Sequence, residues 1–207
     1  KPVMVREHQA LSLKAHFQNG TSPGRNPVIT SGTGSGKTES FLLPVLSRIV
    51  NESLRDSWPV SESPNLWWNA KNSNWKPVRH GSARTAAVRA MILYPTNALV
   101  EDQIVRLRRA IKSLQLGGVA PIWFGRYTGN TTGAIREKNG AVDDKWTPQE
   151  FQKYSEEIKE MCSTYEDMIA HGVDDSSLSQ FSNPVTGELV TRRDMYLLEF
   201  EALWTKQ

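Results

Sequence analysis

The sequence predicts an α/β fold in which helices flank a parallel sheet. A glycine-rich segment joins a short apolar run at residues 28–30 to a long amphipathic pattern at residues 37–54. Two further strand-like runs, at residues 88–94 and 119–127, enclose a second amphipathic pattern. Strands and helices that alternate at this spacing form right-handed βαβ units, and such units build a parallel sheet.

The bulk composition is that of a globular protein. A chain of 207 residues with 38% hydrophobic and 23% charged residues can bury one good-sized core. A single cysteine, Cys162, excludes an internal disulfide and suits a reducing compartment, so we expect a cytoplasmic protein. No apolar run is long enough to cross a bilayer, so we expect no membrane partner. The net charge of +3 permits nucleic-acid binding without requiring it.

The N-terminal third contains two predicted helices. The first covers residues 4–18 and ends at Asn19-Gly20, a favourable C-cap. The second covers residues 37–54, where apolar residues from Phe41 to Val50 recur at helical spacing, and Pro44 should bend it.

Residues 55–86 form a predicted insertion, polar in character and containing four tryptophans. Its aromatic and basic residues could stack on bases or bind phosphates. These residues are Trp75, Lys76, Arg79, His80 and Arg84. The favoured alternative is that the tryptophans pack back on the domain.

The remaining predicted elements follow in order along the chain. The strand at 88–94 stops at Pro95, a helix follows at 97–114, and a third strand ends at Tyr127. A second insertion, at about 134–190, contains a predicted helix at 148–170, and a last helix covers about 193–205.

The segment VITSGTGSGKTES has the chemistry of a phosphate-binding loop. Gly32, Gly34 and Gly36 allow positive φ and a close approach of backbone N–H groups to an anion. Lys37 supplies a cation and Thr38 a hydroxyl for magnesium, at the start of a helix whose dipole favours anions. Ser31 stands where the usual G-x-x-x-x-G-K-[ST] pattern has glycine, and an ordinary glycine turn is the alternative.

Four segments together resemble superfamily 2 helicases. TSGTGSGKTES resembles their motif I, YPTNALVEDQ their motif Ia, FGRYTGNT the segment after the third strand, and REHQ the upstream glutamine motif. All four occur in family order within about the first 130 residues. The chain is identified on this basis as part of the first RecA-like domain of a superfamily 2 ATPase.

This resemblance implies ATP and Mg²⁺ as cofactors. It assigns catalytic roles to Lys37 and Thr38, with Thr38 as the magnesium ligand. Gln9 would read the adenine edge, because an amide offers one donor and one acceptor, although a purely structural glutamine is the alternative. The expected nucleotide-binding residues are Arg6, Gln9, Thr33, Gly34, Ser35, Gly36, Lys37, Thr38 and Glu39.

The resemblance also implies a nucleic-acid track, with DNA favoured over RNA. The expected contacts are Thr96, Asn97, Arg126, Thr128, Gly129 and Asn130. Thr96 or Asn97 could bind a phosphate at the start of a helix or merely cap that helix, and the two roles are compatible. An ion pair is the alternative for Arg126. A solvated helix face explains Arg106, Arg108 and Arg109 as well as nucleic-acid binding does.

A working ATPase of this kind needs motif II, an Asp-Glu pair, and the 207 residues contain no Asp-Glu sequence. We therefore expect residues 1–207 to be a partial N-terminal RecA-like domain of a longer helicase. Residues 134–207 would form a mostly helical insertion before the absent motif. The chain alone should not hydrolyse ATP. A non-catalytic binding subunit with a degenerate ATPase domain is the alternative, and motifs Ia and YTG disfavour a small-molecule kinase.

A finer resemblance involves the segments SGTGSGKTESFLLPVL, ILYPTNALVEDQ, GRYTGNT and TGELVTRRDM. Together they are similar to the large helicase subunits of prokaryotic anti-phage systems of the DISARM and Druantia type. This likeness implies a role in antiviral defence, with other subunits of a defence complex as partners.

Overall fold

The structure is a computed structural model. It describes residues 4–17, 27–30, 32, 34–60, 63–70, 75–79, 87–133, 136–138, 141–143, 146–174, 178, 181 and 187–199. The chain divides into two compact units, residues 1–57 and residues 58–207.

The first unit is a pair of helices, α1 (Glu7–Phe17) and α2 (Lys37–Arg55). Both predicted helices are confirmed to within a few residues. The side chains that α1 buries are polar, Gln9 and Ser12, and α2 buries two serines together with two apolar residues: Ser40, Leu42, Pro44 and Ser53. Hydrogen bonds between side chain and backbone therefore hold α1 against α2, in addition to apolar packing.

The described part of the second unit contains three further helices, α3 (Asn97–Leu116), α4 (Pro148–Ala170) and α5 (Arg192–Glu199). The predicted helices at 97–114 and 148–170 are confirmed. The last one begins at Arg192, and its predicted continuation beyond residue 199 lies outside the described residues. A capping box between Thr147 and Glu150 fixes the start of α4.

Among the residues that the structure describes, the second unit also has four short strands: β1 (Phe124–Gly125), β2 (Arg136–Lys138), β3 (Ala141–Asp143) and β4 (Glu188–Leu189). The strand β1 pairs in parallel with β4, with Phe124 beside Glu188 and Gly125 beside Leu189. The strands β2 and β3 form an antiparallel hairpin. The described part of residues 134–207 contains β2, β3 and β4 as well as α4 and α5, and most of its described residues lie in the two helices.

Two strand predictions are not met. Residues 27–30 and 87–94 have no strand pairing in the described part of the chain, and the third predicted strand is reduced to Phe124–Gly125. Met91, Ile92 and Leu93 are exposed. A strand forms only when a neighbouring strand takes up its backbone hydrogen bonds, and no described strand lies beside residues 87–94.

The core of the second unit confirms the packing interpretation of the tryptophans. A 3-10 turn, Trp67–Asn69, buries Trp67 and Trp68 against α4, and Trp75 and Trp146 pack on the same cluster. The ring centroids of Trp67 and Phe151 lie 5.4 Å apart. The buried members of this cluster are Trp67, Trp68, Val78, Phe151, Ile158, Leu189, Val190 and Met195.

The helix α3 presents a buried stripe of Ile104, Arg108 and Ile111. The expectation of a solvated face is wrong for Arg108, whose side chain is only 1% exposed. It holds for Arg106 and Arg109, whose side chains are more than half exposed. Arg108 is therefore a buried residue, whereas Arg106 and Arg109 lie on the surface of α3.

Candidate nucleotide and nucleic-acid sites

The glycine loop of the first unit has the predicted left-handed backbone at Gly34 and Gly36 and not at Gly32. Gly34 and Gly36 have φ angles of 72° and 84°, in the left-handed region that only glycine adopts without strain. Gly36 is the N-cap of α2, so Lys37 is its first residue. The loop thus leads directly into the positive end of a helix dipole.

The side chains of the loop differ in their contacts and in their exposure. The Lys37 Nζ donates to the carbonyl of Gly32 at 3.1 Å. Ser35, Thr38 and Glu39 are partly buried. The predicted residue Thr33 lies outside the described residues, as does Ser31.

Gln9 and Arg6 lie against the same loop, as the glutamine-motif resemblance implies. The Gln9 Nε2 donates to the Gly36 carbonyl at 3.2 Å, and its Oε1 accepts the Arg6 backbone N–H at 2.9 Å. The Arg6 guanidinium donates to the Gly34 carbonyl at 3.3 Å. The amide of Gln9 is therefore held in a fixed orientation beside the phosphate loop.

Two serines that the sequence did not single out lock this arrangement. The Ser12 hydroxyl donates to the Ser40 carbonyl at 2.5 Å, and Ser40 donates through both its N–H and its hydroxyl to the Gly36 carbonyl at 3.3 Å. At the far end of α1, Arg48 donates to the His16 carbonyl at 2.8 Å. The local sequence of α1 gives no signal for these contacts, because each partner lies about thirty residues away.

In the second unit, Thr96 caps α3. Its side-chain oxygen accepts the Leu99 backbone N–H at 3.4 Å, and its own backbone is extended. Asn97, the first residue of the helix, is exposed. The capping role of Thr96 is confirmed, and phosphate binding by Thr96 and Asn97 stays a prediction.

Arg126 adopts the ion pair that the sequence left open. Its Nη1 lies 2.5 Å from the Glu101 carboxylate of α3, and its side chain is 13% exposed. The pair connects the residue after β1 to the second turn of α3. Nucleic-acid binding by Arg126 stays a prediction.

The segment from Arg126 to Thr131 is a tight turn closed by a threonine. The Thr128 N–H donates to Thr131 Oγ1 at 3.0 Å, and the Thr131 hydroxyl donates to the Arg126 carbonyl at 2.6 Å. Thr128 is buried, whereas Gly129 and Asn130 are exposed. Of the predicted contacts in this turn, Gly129 and Asn130 are the ones open to a ligand.

Arg192, the first residue of α5, is a site residue that sequence reasoning missed. Its Nη2 donates to the carbonyls of Thr128 and Gly129, both at 2.6 Å. It therefore fixes the predicted track turn from a position more than sixty residues downstream. The paired arginines of TRRDM were the available signal.

The two residues after Arg192 tie α5 to the tryptophan-rich segment. The Arg193 guanidinium lies 4.2 Å from the ring centroid of Trp75 and 5.0 Å from that of Trp146. Asp194 is fully buried, where it accepts the Val78 N–H at 3.1 Å and the Thr191 hydroxyl at 2.6 Å. Burial raises the pKa of Asp194 to about 6, although the hydrogen bonds from Thr191 and Val78 oppose this shift.

Comparison with known proteins places these features in one family. The chain matches the DEAD/DEAH box helicase family over residues 6–168, which is more than half of its length. The chain belongs to the DEAD/DEAH box helicase family. The parallel pairing of β1 with β4 and the flanking helices agree with an incomplete α/β RecA-like fold.

Individual relatives of this helicase domain are similar over parts of the chain. It is 39% identical to Druantia protein DruE of Escherichia coli (strain UMEA 4076-1) over 60% of this chain and 6% of that protein. It is 34% identical to the mitochondrial ATP-dependent RNA helicase MRH4 of Debaryomyces hansenii, over 42% of this chain and 12% of that protein. For DEAD-box ATP-dependent RNA helicase 13 of Oryza sativa subsp. japonica the identity is 29%, over 53% of this chain and 12% of that protein. The chain therefore spans about a tenth or less of the length of these relatives, and no solved structure matches it.

The loop of this helicase domain fits the ATP and magnesium that such helicases use. The left-handed Gly34 and Gly36 allow the backbone N–H groups to approach a phosphate closely, and Lys37 lies beside them. Thr38 offers one hydroxyl, and within the described part of the chain no three His, Cys, Asp or Glu side chains cluster to hold a metal. This is adequate for Mg²⁺, which is bound through few protein ligands together with phosphates and water. Among the described helices, none is both long and apolar enough to cross a membrane.

Proposed function

We propose that this chain is the ATP-binding part of a nucleic-acid-dependent helicase or translocase that acts on DNA in prokaryotic anti-phage defence. The observation that carries the proposal is the glycine loop, where the left-handed Gly36 precedes Lys37 and accepts the Gln9 amide at 3.2 Å. The proposed phosphate-binding loop and the amide proposed to recognise adenine thus contact each other within one unit.

The proposed nucleotide chemistry divides among these residues. The backbone N–H groups of the loop and the Lys37 ammonium would hold the phosphates, and the Thr38 hydroxyl would hold Mg²⁺. Arg6 and Gln9 would frame the adenine, because both already contact the loop backbone. Magnesium would neutralise charge on the phosphates when it is bound.

The proposed nucleic-acid contacts lie in the second unit. The cap of α3 at Thr96 and Asn97 offers free N–H groups, and the turn at Gly129 and Asn130 is exposed. These groups suit phosphates and not base edges, so contacts through them would be independent of sequence.

The choice of DNA and of anti-phage defence rests on the Druantia relative. Its 39% identity covers more of this chain than do the matches to the two RNA helicases. The resemblance of the four sequence segments to anti-phage helicase subunits supports the same choice. A defence role would require further subunits as partners and a cytoplasmic location.

Nucleotide and oligonucleotide binding test the proposal directly. A fluorescent ATP analogue should bind the chain with Mg²⁺, and K37A should abolish this binding because the phosphate cation is lost. Single-stranded DNA should bind with an affinity that falls steeply with salt, and more tightly than RNA of the same sequence. Failure of the chain to bind either ligand would refute the proposal.

A second candidate is a non-catalytic subunit that binds nucleotide or nucleic acid. The absence of an Asp-Glu sequence from the 207 residues favours it. We propose that the chain by itself binds ATP without hydrolysing it, and that the longer protein supplies the carboxylates. ATP hydrolysis by the longer protein, lost in K37A, would decide for the enzyme. Its absence would decide for the binding subunit.

A further inference from the structure

Tyr127 is an exposed aromatic residue at the edge of the proposed track. Sixty per cent of its surface is accessible to solvent. Among the described phenylalanine, tyrosine and tryptophan side chains, that of Phe17 is the only other exposed one. The described tryptophans of the second unit are buried or pack on the core cluster. Among the aromatic side chains that the structure describes in this unit, that of Tyr127 is therefore unusually exposed.

The backbone around β1 directs Tyr127 away from the core. Successive side chains of an extended segment point to opposite sides. Arg126 turns inward to the Glu101 carboxylate, at 2.5 Å, so Tyr127 faces outward. The next residues form the turn whose exposed members are Gly129 and Asn130.

The ring of Tyr127 is held in place although it is exposed. The Arg192 guanidinium lies 5.5 Å from the ring centroid, and Arg192 is itself fixed by the carbonyls of Thr128 and Gly129, both at 2.6 Å. A cation over one face of an aromatic ring restrains its rotation. An exposed ring that is already oriented loses little conformational freedom when a ligand stacks on it.

We infer that Tyr127 is a stacking residue for a nucleic-acid base at the Gly129 turn. The inference rests on the proposed function and extends it, because the other contacts in the second unit address phosphates. Every base presents a flat face, so this contact would add affinity without reading sequence. It would make the chain prefer strands whose bases are unpaired and accessible.

The test compares two single strands of equal length and equal phosphate number. One carries normal bases, and in the other the bases are replaced by abasic sites. We expect Y127A to bind the normal strand about tenfold more weakly and the abasic strand as the unaltered chain does. Y127F should retain wild-type affinity for both strands. F17A is the matched control, since Phe17 is also exposed beneath an arginine, Arg48 at 5.8 Å, but lies in the first unit.

The outcomes separate this inference from the proposed function. Equal weakening on both strands would overturn the inference, because Tyr127 would then act through the shape of the turn. Unchanged affinity of Y127A on both strands would also overturn it, because the ring would then add nothing to binding. Failure of the unaltered chain to bind either strand would overturn the proposed function and the inference together.

Discussion

Arg108 and Glu188 form a buried, two-pronged ion pair that joins α3 to β4. The Nε and Nη2 of Arg108 lie 3.0 and 3.1 Å from the two carboxylate oxygens, and both side chains are 1% exposed. Arg108 also donates to the carbonyls of Leu178 and Phe181. The helix that begins at Asn97 and the strand that precedes α5 are thus fixed to each other by one guanidinium.

We expect E188Q to lower the free energy of unfolding of the chain by about 3–5 kcal/mol, because it leaves the buried charge of Arg108 without its counter-charge. Urea unfolding followed by circular dichroism would measure this loss. D174N is the matched control, since Asp174 makes an exposed pair with the neighbouring Arg109 at 3.5 Å. It should cost less than about 1 kcal/mol. Equal losses in the two variants would contradict the assignment of Arg108 to the core.

Asp194 should make the stability of the second unit depend on pH. Its pKa is about 6 in the folded chain against an ordinary value of 3.8, because its burial disfavours the charged form. The folded state therefore binds the proton more tightly. The free energy of unfolding should be highest below about pH 4 and should fall as pH rises through about 6. The total change is about 3 kcal/mol for a shift of this size.

The variant D194N should remove this pH dependence, because an amide carries no titrating proton. It keeps a side-chain oxygen that can accept the Val78 N–H. Urea midpoints at a series of pH values from acid to neutral would show the difference. D167N, which alters an exposed carboxylate on α4, is the control and should retain the wild-type profile. A pH profile of D194N that matches the wild type would contradict the prediction.

Gly36 should tolerate no side chain. An added Cβ would lie 2.7 Å from Gln9 Nε2, and the φ of 84° costs about 1–2 kcal/mol for other residues. G36A should therefore displace Lys37 and weaken binding of a fluorescent ATP analogue about tenfold or more. At Gly32 no atom lies within 4 Å of an added Cβ, so G32A should bind nearly as the wild type does. Equal weakening in both variants would argue against a specific role of Gly36.

The helices of this chain could be predicted from sequence because their signals are local. Apolar spacing located α2, α3 and α4 to within a few residues, and the fold class followed from their alternation with apolar runs. The strand β4 could not be found in this way. It has two residues, too few to show a period, and its pairing with β1 is non-local.

The site was predictable only where a motif marks it. Gln9 was connected to the glycine loop through its resemblance to a family motif, and the structure places its amide 3.2 Å from the Gly36 carbonyl. Arg192 also lies in a segment that resembles family members, TGELVTRRDM, but that resemblance does not reveal its partners, because the carbonyls it binds lie 64 and 63 residues earlier in the chain. The composition of residues 88–94 alone predicts a strand there. Composition indicates how well these residue types suit a strand, but it does not show whether a second strand lies beside them to accept and donate the backbone hydrogen bonds.

Gln9 should determine the preference for ATP over GTP. Its amide is held between the Arg6 N–H and the Gly36 carbonyl, an orientation from which it can offer one donor and one acceptor to adenine. Guanine reverses this pattern at its six-position, so the wild type should bind ATP more tightly. In Q9A the ratio of the two affinities should fall by about tenfold, because an amide that discriminates by hydrogen bonding is typically worth about 1–3 kcal/mol. Competition of ATP and GTP against a fluorescent ATP analogue would measure the ratio.

The variant S12A is the control that separates base recognition from helix position, since it removes the 2.5 Å hydrogen bond from α1 to Ser40 without changing the Gln9 amide. It should weaken both nucleotides alike, and a loss of the ATP preference in S12A but not in Q9A would show that the position of α1, and not the amide of Gln9, sets the choice.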